Sequence, residues 1–335
     1  MAEETVKAAK KPDKRAEKQE RMKAMSKGER RYLRRKAVGD RVWPVFRAVI
    51  LFGLGFVIMY PLIYMISCAF RERADMSDPT VMWIPRHYTL DVIADTLDAM
   101  DYWKTLGTTL VLNIGCSLFQ VISCAVTGYG FARFRFKGKK LLFAVVIMMI
   151  LVPPQVISLP LYTEFRYFGI KGLFSVNLID TKLTMYLPAM TANGIRAGLM
   201  ILIFRQFFKG MPRELEDAAY IDGCGPFMTF VRVMVPNAAS AFLTVFLFSV
   251  VWYWNDYYIS STFFTNTKTI AIMLSNLDNE LKARLFDNPK LQIIPREQIV
   301  WKEAGCLLSI APVLLMYVFL QKYFTEGIER SGLVG

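Results

Sequence analysis

Six long apolar blocks, near residues 48–70, 105–131, 141–162, 183–208, 237–259 and 303–320, leave this chain few folds to adopt. Each is close to the roughly 20 residues that a helix needs to cross the hydrocarbon core of a bilayer. Inside lipid no water satisfies the backbone, so a single apolar segment must close its own hydrogen bonds as a helix. The expectation is an all-α polytopic membrane protein with six transmembrane helices. A basic N-terminal tail, residues 1–47, precedes a six-helix domain at 48–335. Of the 335 residues, 54% are hydrophobic, more than a soluble domain of this size carries.

The formal net charge of +13 would also suit a nucleic-acid binder. Its distribution argues otherwise, because the lysines and arginines gather in the tail and in short connections, as in membrane proteins. With the N-terminus inside, most of the 41 lysines and arginines fall on the inner side. Both termini and the connection at 212–236 are therefore expected in the cytoplasm. The tail has too long a charged region, and no cleavage site, for a signal peptide. It reads as a solvated segment that sets topology, or as a helix on the anionic leaflet. Five cysteines without CxxC spacing argue against zinc and a disulfide framework. A single histidine, His87, leaves no His-based metal site or triad, and no phosphate loop of the GxxxxGK[ST] kind exists.

Within the spans, several residues break the apolar pattern. Pro61 interrupts the first, and Pro153-Pro154-Gln155 must bend or break the third; these prolines are candidate hinges. Arg196 lies mid-way along the fourth, where an arginine costs about 2.5 to 3.5 kcal/mol and must face protein or water. Gly107, Gly115, Gly128 and Gly130 in the second permit close helix packing. The fifth ends in an aromatic and polar cluster: Trp252 and Tyr253 fit an interfacial belt, whereas Asn255 and Asp256 fit a pathway or gate. Between the last two spans, 270–281 reads as an amphipathic helix.

The connection 212–236 has its own grammar. Glu214, Glu216 and Asp217 place negative charge in a first helical turn, against the positive helix end. Ala218 and Ala219 continue that helix and leave room for a close partner. Asp222-Gly223 stops it, and Pro226 opens a second short helix. Asp222 is expected to cap that second helix or to bond within the turn.

This connection resembles the EAA loop of ABC-importer permeases, with Asp217-Ala218-Ala219, Asp222-Gly223 and Pro236 in the motif positions. Asp217 stands where the family has Glu. The resemblance extends over Tyr129-Gly130-Phe131-Ala132-Arg133-Phe134-Arg135-Phe136, Pro153-Pro154-Gln155, Phe204-Arg205-Gln206-Phe207-Phe208, Trp254-Asn255-Asp256 and Gln321-Lys322-Tyr323-Phe324. Together these resemble the carbohydrate, maltose-permease-G-like branch with the type I, MetI-like importer fold.

The resemblance implies a non-catalytic permease subunit of the bacterial plasma (inner) membrane. It implies four kinds of partner: a second homologous permease, two ATPase subunits, an extracytoplasmic sugar-binding protein and membrane lipid. This chain would hold no cofactor; ATP and Mg would sit in the ATPases. The ATPase-coupling residues would be Glu214, Glu216, Asp217, Ala218, Ala219, Asp222 and Gly223. The substrate pathway would involve Trp254, Asn255, Asp256, Arg196 and Gln155. The alternatives are a permease of the same fold for a non-sugar solute, an ATP-independent secondary transporter, which would show inverted repeats, and a membrane enzyme.

Overall fold

The computed structural model describes residues 26–170, 173–285 and 295–332. Two units divide it, 1–63 and 64–335. In the first unit, the chain from Lys27 is helical, and its large apolar side chains from Val42 to Tyr60 are exposed. The helix begins inside the basic tail, so no structural boundary falls at residue 47. This helix, α1 (Lys27–Ala69), continues through Pro61. Residues 1–25 of the tail lie outside the described residues.

The second unit is built on α4 (Tyr102–Arg133), after the short α2 (Arg73–Ser77) and α3 (Asp91–Ala99). Thr109, Asn113, Cys116, Gln120, Cys124 and Gly128 recur at helical spacing and are buried along α4. This small and polar stripe lets neighbouring helices approach. At Gly128 a Cβ would stand 2.6 Å from Cβ of Phe204 and 3.1 Å from the carbonyl of Ile201. Only glycine lets α8 (Ala197–Gly210) lie there. Gly115 likewise admits the ring of Tyr186, whereas Gly107 faces open space. Asn113 donates to the carbonyl of Val250 at 2.8 Å, tying α4 to α12 (Ala239–Trp254).

Two expected spans are interrupted. The third consists of α5 (Lys139–Leu151) and α6 (Pro154–Arg166), 105° apart. Pro153 disfavours a helical Val152 and cannot itself donate, so the ladder stops there. After α6, a small hairpin pairs β1 (Phe168–Ile170) with β2 (Phe174–Val176). The fourth span is two helices, α7 (Leu183–Met190) and α8, separated at 191–196. Ala192 and Arg196 there have left-handed backbone, at φ 56° and 57°. Arg196 is thus not inside a helix, as its mid-span position suggested, but at the start of α8.

The 212–236 connection holds α9 (Glu214–Ile221), α10 (Pro226–Thr229), one π turn (Phe230–Met234) and α11 (Val235–Asn237). Pro236 has no N–H for the carbonyl one turn back, which suits a widened turn. An 80° bend separates this stretch from α12. Beyond it come α13 (Tyr258–Phe263), α14 (Ile270–Leu285) and α15 (Pro295–Gly332). The amphipathic α14 buries Ile270, Met273, Leu277 and Leu281 against α3 and α15.

Among the described residues, three helices are long and apolar enough to cross a membrane: Val38–Ala69, Tyr102–Arg133 and Pro295–Lys322. Counting each bent pair as one span gives five. The break at 191–196 keeps the fourth expected block from joining them as a continuous helix. All five cysteines are free thiols; Cys68, Cys116 and Cys124 are buried, and Cys224 and Cys306 partly so.

Candidate functional site: an anchored loop and a polar-lipped cavity

The helix α9 ends as its sequence predicts. Gly223 takes φ 82°, its N–H bonds to the carbonyl of Tyr220 at 3.1 Å, and that of Cys224 bonds to Ala219 at 2.9 Å. Those two bonds make the Schellman stop that a non-glycine residue would strain. Asp222 sits at the C-cap, exposed, and its carboxylate makes no hydrogen bond among the described residues. The expectation that it caps the next helix is not met, because Pro226 starts α10 behind Gly225.

The motif residues divide between two faces of α9. Glu216 and Ala219 are buried, whereas Glu214, Asp217, Ala218, Asp222 and Gly223 are exposed. Glu216 is the inward anchor. Its Oε1 accepts from the Tyr129 hydroxyl at 2.7 Å, and its Oε2 lies 3.1 Å from Nε of Arg133. That second contact is an ion pair without hydrogen-bond alignment. Arg133 also donates through Nη2 to the carbonyl of Met211 at 2.9 Å. The side chains of Arg133 and Glu216 are 7% and 10% exposed, so neither charge has ready access to water as a substitute partner. The ring of Tyr129 packs on Phe230 and Phe208, with centroids 4.8 and 5.5 Å away. The end of α4, the end of α8 and the π turn therefore meet around α9. Its outer face, with Ile221 86% exposed and Phe227 of α10 exposed nearby in sequence, is left uncovered by the described residues.

A cavity of about 810 Å³ lies between α5, α6, the 191–196 break and the segment after α12. Its walls are mostly apolar, with Gln155, Asn193, Arg196, Asp256 and Tyr258 among its polar groups. Three of the five residues picked for the pathway thus share one cavity. The other two do not. Trp254 is buried and donates through Nε1 to the carbonyl of Ser309 at 3.0 Å, fastening α12 to α15. Asn255 donates back to the carbonyl of Val251 at 2.9 Å.

Asp256 is held by the turn of chain on its C-terminal side. It accepts from the N–H groups of Ile259 and Ser260, at 3.2 and 2.8 Å, and from the Ser260 hydroxyl at 2.8 Å. These donors open α13 and satisfy the carboxylate. The side chain of Arg196, in contrast, makes no hydrogen bond or ion pair among the described residues, and the residue is exposed at the cavity.

Sequence reasoning missed the residues that shape the break. Tyr253 is buried rather than interfacial. Its hydroxyl donates to Oε1 of Gln120 at 2.6 Å and accepts from the N–H of Ile195 at 3.3 Å. Gln120 in turn donates to the carbonyl of Ile195 at 2.7 Å. Any side chain at Gly194 would collide with both. Two left-handed non-glycine residues within one short break persist only when their surroundings hold them, and this clamp does so. A long glutamine among the small side chains of the buried stripe of α4 was the one available signal.

Next to the cavity residue Phe263, Asp180 (φ 65°) binds the N–H groups of Thr265, Asn266 and Thr267 and the Asn266 side chain at 2.8 to 3.1 Å. Its own N–H donates to the carbonyl of Phe263, a cavity residue, at 2.9 Å. Burial opposes ionisation of Asp180, but the donors of Thr267 and Asn266 outweigh it and hold the carboxyl below its ordinary pKa.

Bent apolar helices around a cavity that carries a few polar groups, with an anchored helical loop, define a polytopic helical membrane protein. The chain belongs to the family of binding-protein-dependent transport system inner membrane components, whose model matches residues 125–330. These are permease subunits of ABC importers, which work with an ATPase and a substrate-binding protein and are generally not catalytic themselves. The chain is 25% identical over 291 residues to the arabinooligosaccharide transport permease AraQ of Halalkalibacterium halodurans, covering 84% of this chain and 93% of the relative. It is 23% identical over 301 residues to the diacetylchitobiose uptake permease DasC of Streptomyces coelicolor, covering 90% and 100%. Its fold matches a chain of a bacterial ABC transporter that imports the acidic polysaccharide alginate, with a TM-score of 0.66 at 20% identity, covering 85% of this chain and 98% of that one.

Proposed function

We propose that this chain is the permease subunit of an ATP-driven importer for a sugar or oligosaccharide. A second homologous permease completes the pathway, an extracytoplasmic binding protein supplies the solute, and two ATPase subunits hydrolyse Mg-ATP on the cytoplasmic side. The chain sits in the bacterial inner membrane with both termini in the cytoplasm. The relatives named for oligosaccharide uptake support the substrate class.

The observation that carries the coupling role is the two-faced α9. Its inner face is fixed to α4 through Glu216, Tyr129 and Arg133. Its outer face offers Glu214, Asp217, Ala218 and Ile221. A helix that is rigidly rooted and freely presented can pass a push from an ATPase to α4. Gly223 ends this lever; Asp222 lies exposed on it. On the substrate side, Arg196 and Gln155 donate to solute hydroxyls within the cavity, and Asp256 keeps α13 in place as part of its wall. Pro153 and Pro154 are the hinge between α5 and α6, and Pro61 a bend site in α1. Trp254 and Asn255 support the pathway from behind.

The test is the reconstituted transporter carrying Asp217→Lys or Gly223→Pro. Either substitution should uncouple ATP hydrolysis from uptake or release the ATPase. Normal uptake by both would remove α9 from the coupling role.

A further inference from the structure

At the end of the bundle that carries α9, the chain collects cations that no carboxylate pairs among the described residues. The connection after α4 and the start of α5 bring Arg135, Lys137, Lys139 and Lys140 within six residues. From α8 come Arg205 and Lys209, one helical turn apart and so on one face. Arg135, Arg205 and Lys209 all act electrostatically on Lys139. The Arg205 guanidinium stands 4.1 Å from the centroid of the Phe143 ring, and its Nε is buried without a hydrogen-bond partner. Among the described residues Lys139 reaches only a backbone oxygen, the carbonyl of Phe134, at 2.8 Å. None of these six has an ion pair with a carboxylate among the described residues. Arg133, two residues before Arg135, shows the alternative, since the fold gives it Glu216.

Like charges gathered in this way repel unless an anion lies among them. Beside them Phe134, Phe136, Leu141 and Leu142 are exposed. A ligand that suits both sets carries an anionic phosphate on an apolar body. At the start of a membrane helix, phospholipid is the molecule of that kind always within reach.

We propose that Arg135, Lys139, Arg205 and Lys209 form a binding site for the phosphate headgroup of an anionic phospholipid. The ring of Phe143 backs the guanidinium of Arg205, leaving its outer N–H donors for phosphate oxygens. The acyl chains leave past Leu141 and Leu142. This site stands apart from the cavity and does not depend on what the cavity carries.

The test uses the purified full chain in a neutral detergent. It is titrated with phosphatidylglycerol or phosphatidylcholine of identical acyl chains, and bound lipid is counted by native mass spectrometry. Phosphatidylglycerol should be retained in preference. Arg205→Gln with Lys209→Gln should cut that retention by roughly fivefold per charge removed and leave phosphatidylcholine unchanged. Arg166→Gln with Lys182→Gln, the same net change outside the cluster, should keep it. If the first variant is not recovered folded, Arg135→Gln with Lys139→Gln is read in its place.

Equal retention of the two lipids by the native chain overturns the proposal, as does equal loss in cluster and control variants. Displacement of the lipid by millimolar inorganic phosphate alone would assign the site to a free anion and overturn it. So would intact lipid retention with lost binding of the ATPase subunits, which would make the patch a protein contact.

Discussion

Glu216 and Arg196 are both charged residues of an apolar, helical chain, and the fold treats them in opposite ways. Glu216 is buried, with a hydroxyl and a guanidinium on its two oxygens. Arg196 is exposed at a cavity, and its guanidinium has no partner among the described residues. A buried pair serves geometry, because removing one member strands the other. An unpaired charge at a cavity serves a visitor, because its hydrogen bonds are still to be made. Under the proposed function, the difference separates a part that would transmit force from a part that would meet a solute.

The sharpest way to break the comparison is to remove one member of the buried pair. Arg133→Met should destabilise the folded protein by about 3 to 5 kcal/mol, since it leaves a carboxylate buried and unpaired. Adding Glu216→Leu should recover most of that loss. Denaturant unfolding in detergent measures both, and a cost of Arg133→Met no greater than that of an exposed substitution would deny Glu216 its anchoring role.

Tyr253→Phe is expected to cost less. It removes a hydroxyl from Gln120 and from the N–H of Ile195, leaving buried polar atoms unsatisfied at about 1 to 3 kcal/mol. Because the clamp shapes the break that carries Arg196, uptake should fall by more than the loss of folded protein explains. A fall in uptake that matched the lost protein would show the clamp to be scaffold alone.

Acid should loosen the contacts of Asp180 while leaving neutral-pH behaviour untouched. Asp180 has its folded pKa depressed by the Thr267 and Asn266 donors, against the opposing effect of burial. Its contribution is therefore fully present above the unfolded value, about 3.9, and is lost as pH falls through the lower folded value. Stability should be insensitive to this group from pH 8 to about 5 and decline below about 4. In Asp180→Asn this part of the acid dependence should vanish, as thermal unfolding across pH would record.

The smallest effect on folding is expected at Arg196. Arg196→Met should change stability by no more than about 0.5 kcal/mol, as an exposed residue without partners does. Assembly and ATPase activity should survive while uptake is lost. Failed assembly would turn Arg196 into a second structural charge and erase the contrast with Glu216.

Much of this architecture was legible in the sequence because its causes are local. Apolar blocks of spanning length mark helices. Pro153-Pro154 stops a ladder wherever it stands, and Gly223 ends α9 through a conformation that glycine takes cheaply. The amphipathic stretch at 270–281 became α14, extended to Leu285. Less legible was the fourth span, where an apolar run of sufficient length is broken at 191–196 by contacts with Gln120 and Tyr253. The site divided in the same way. Arg196, Gln155 and Asp256 were recognisable as polar groups out of place, and they share the cavity. Trp254 carried the same kind of signal, yet its indole serves α15.

By itself, the sequence determined that this is a helical membrane chain, where its loops turn, and which charges have to be explained. Only the tertiary structure decided which of those charges were answered from within. Whether Glu216 or its neighbour Asp217 turns inward depends on Tyr129 and Arg133, far away along the chain. Whether Arg196 stays unpaired depends on helices that meet around it. Backbone propensity acts over a few residues and can be read in order. A partner for a buried charge is chosen by which surfaces pack together, and that choice is made by the whole chain at once.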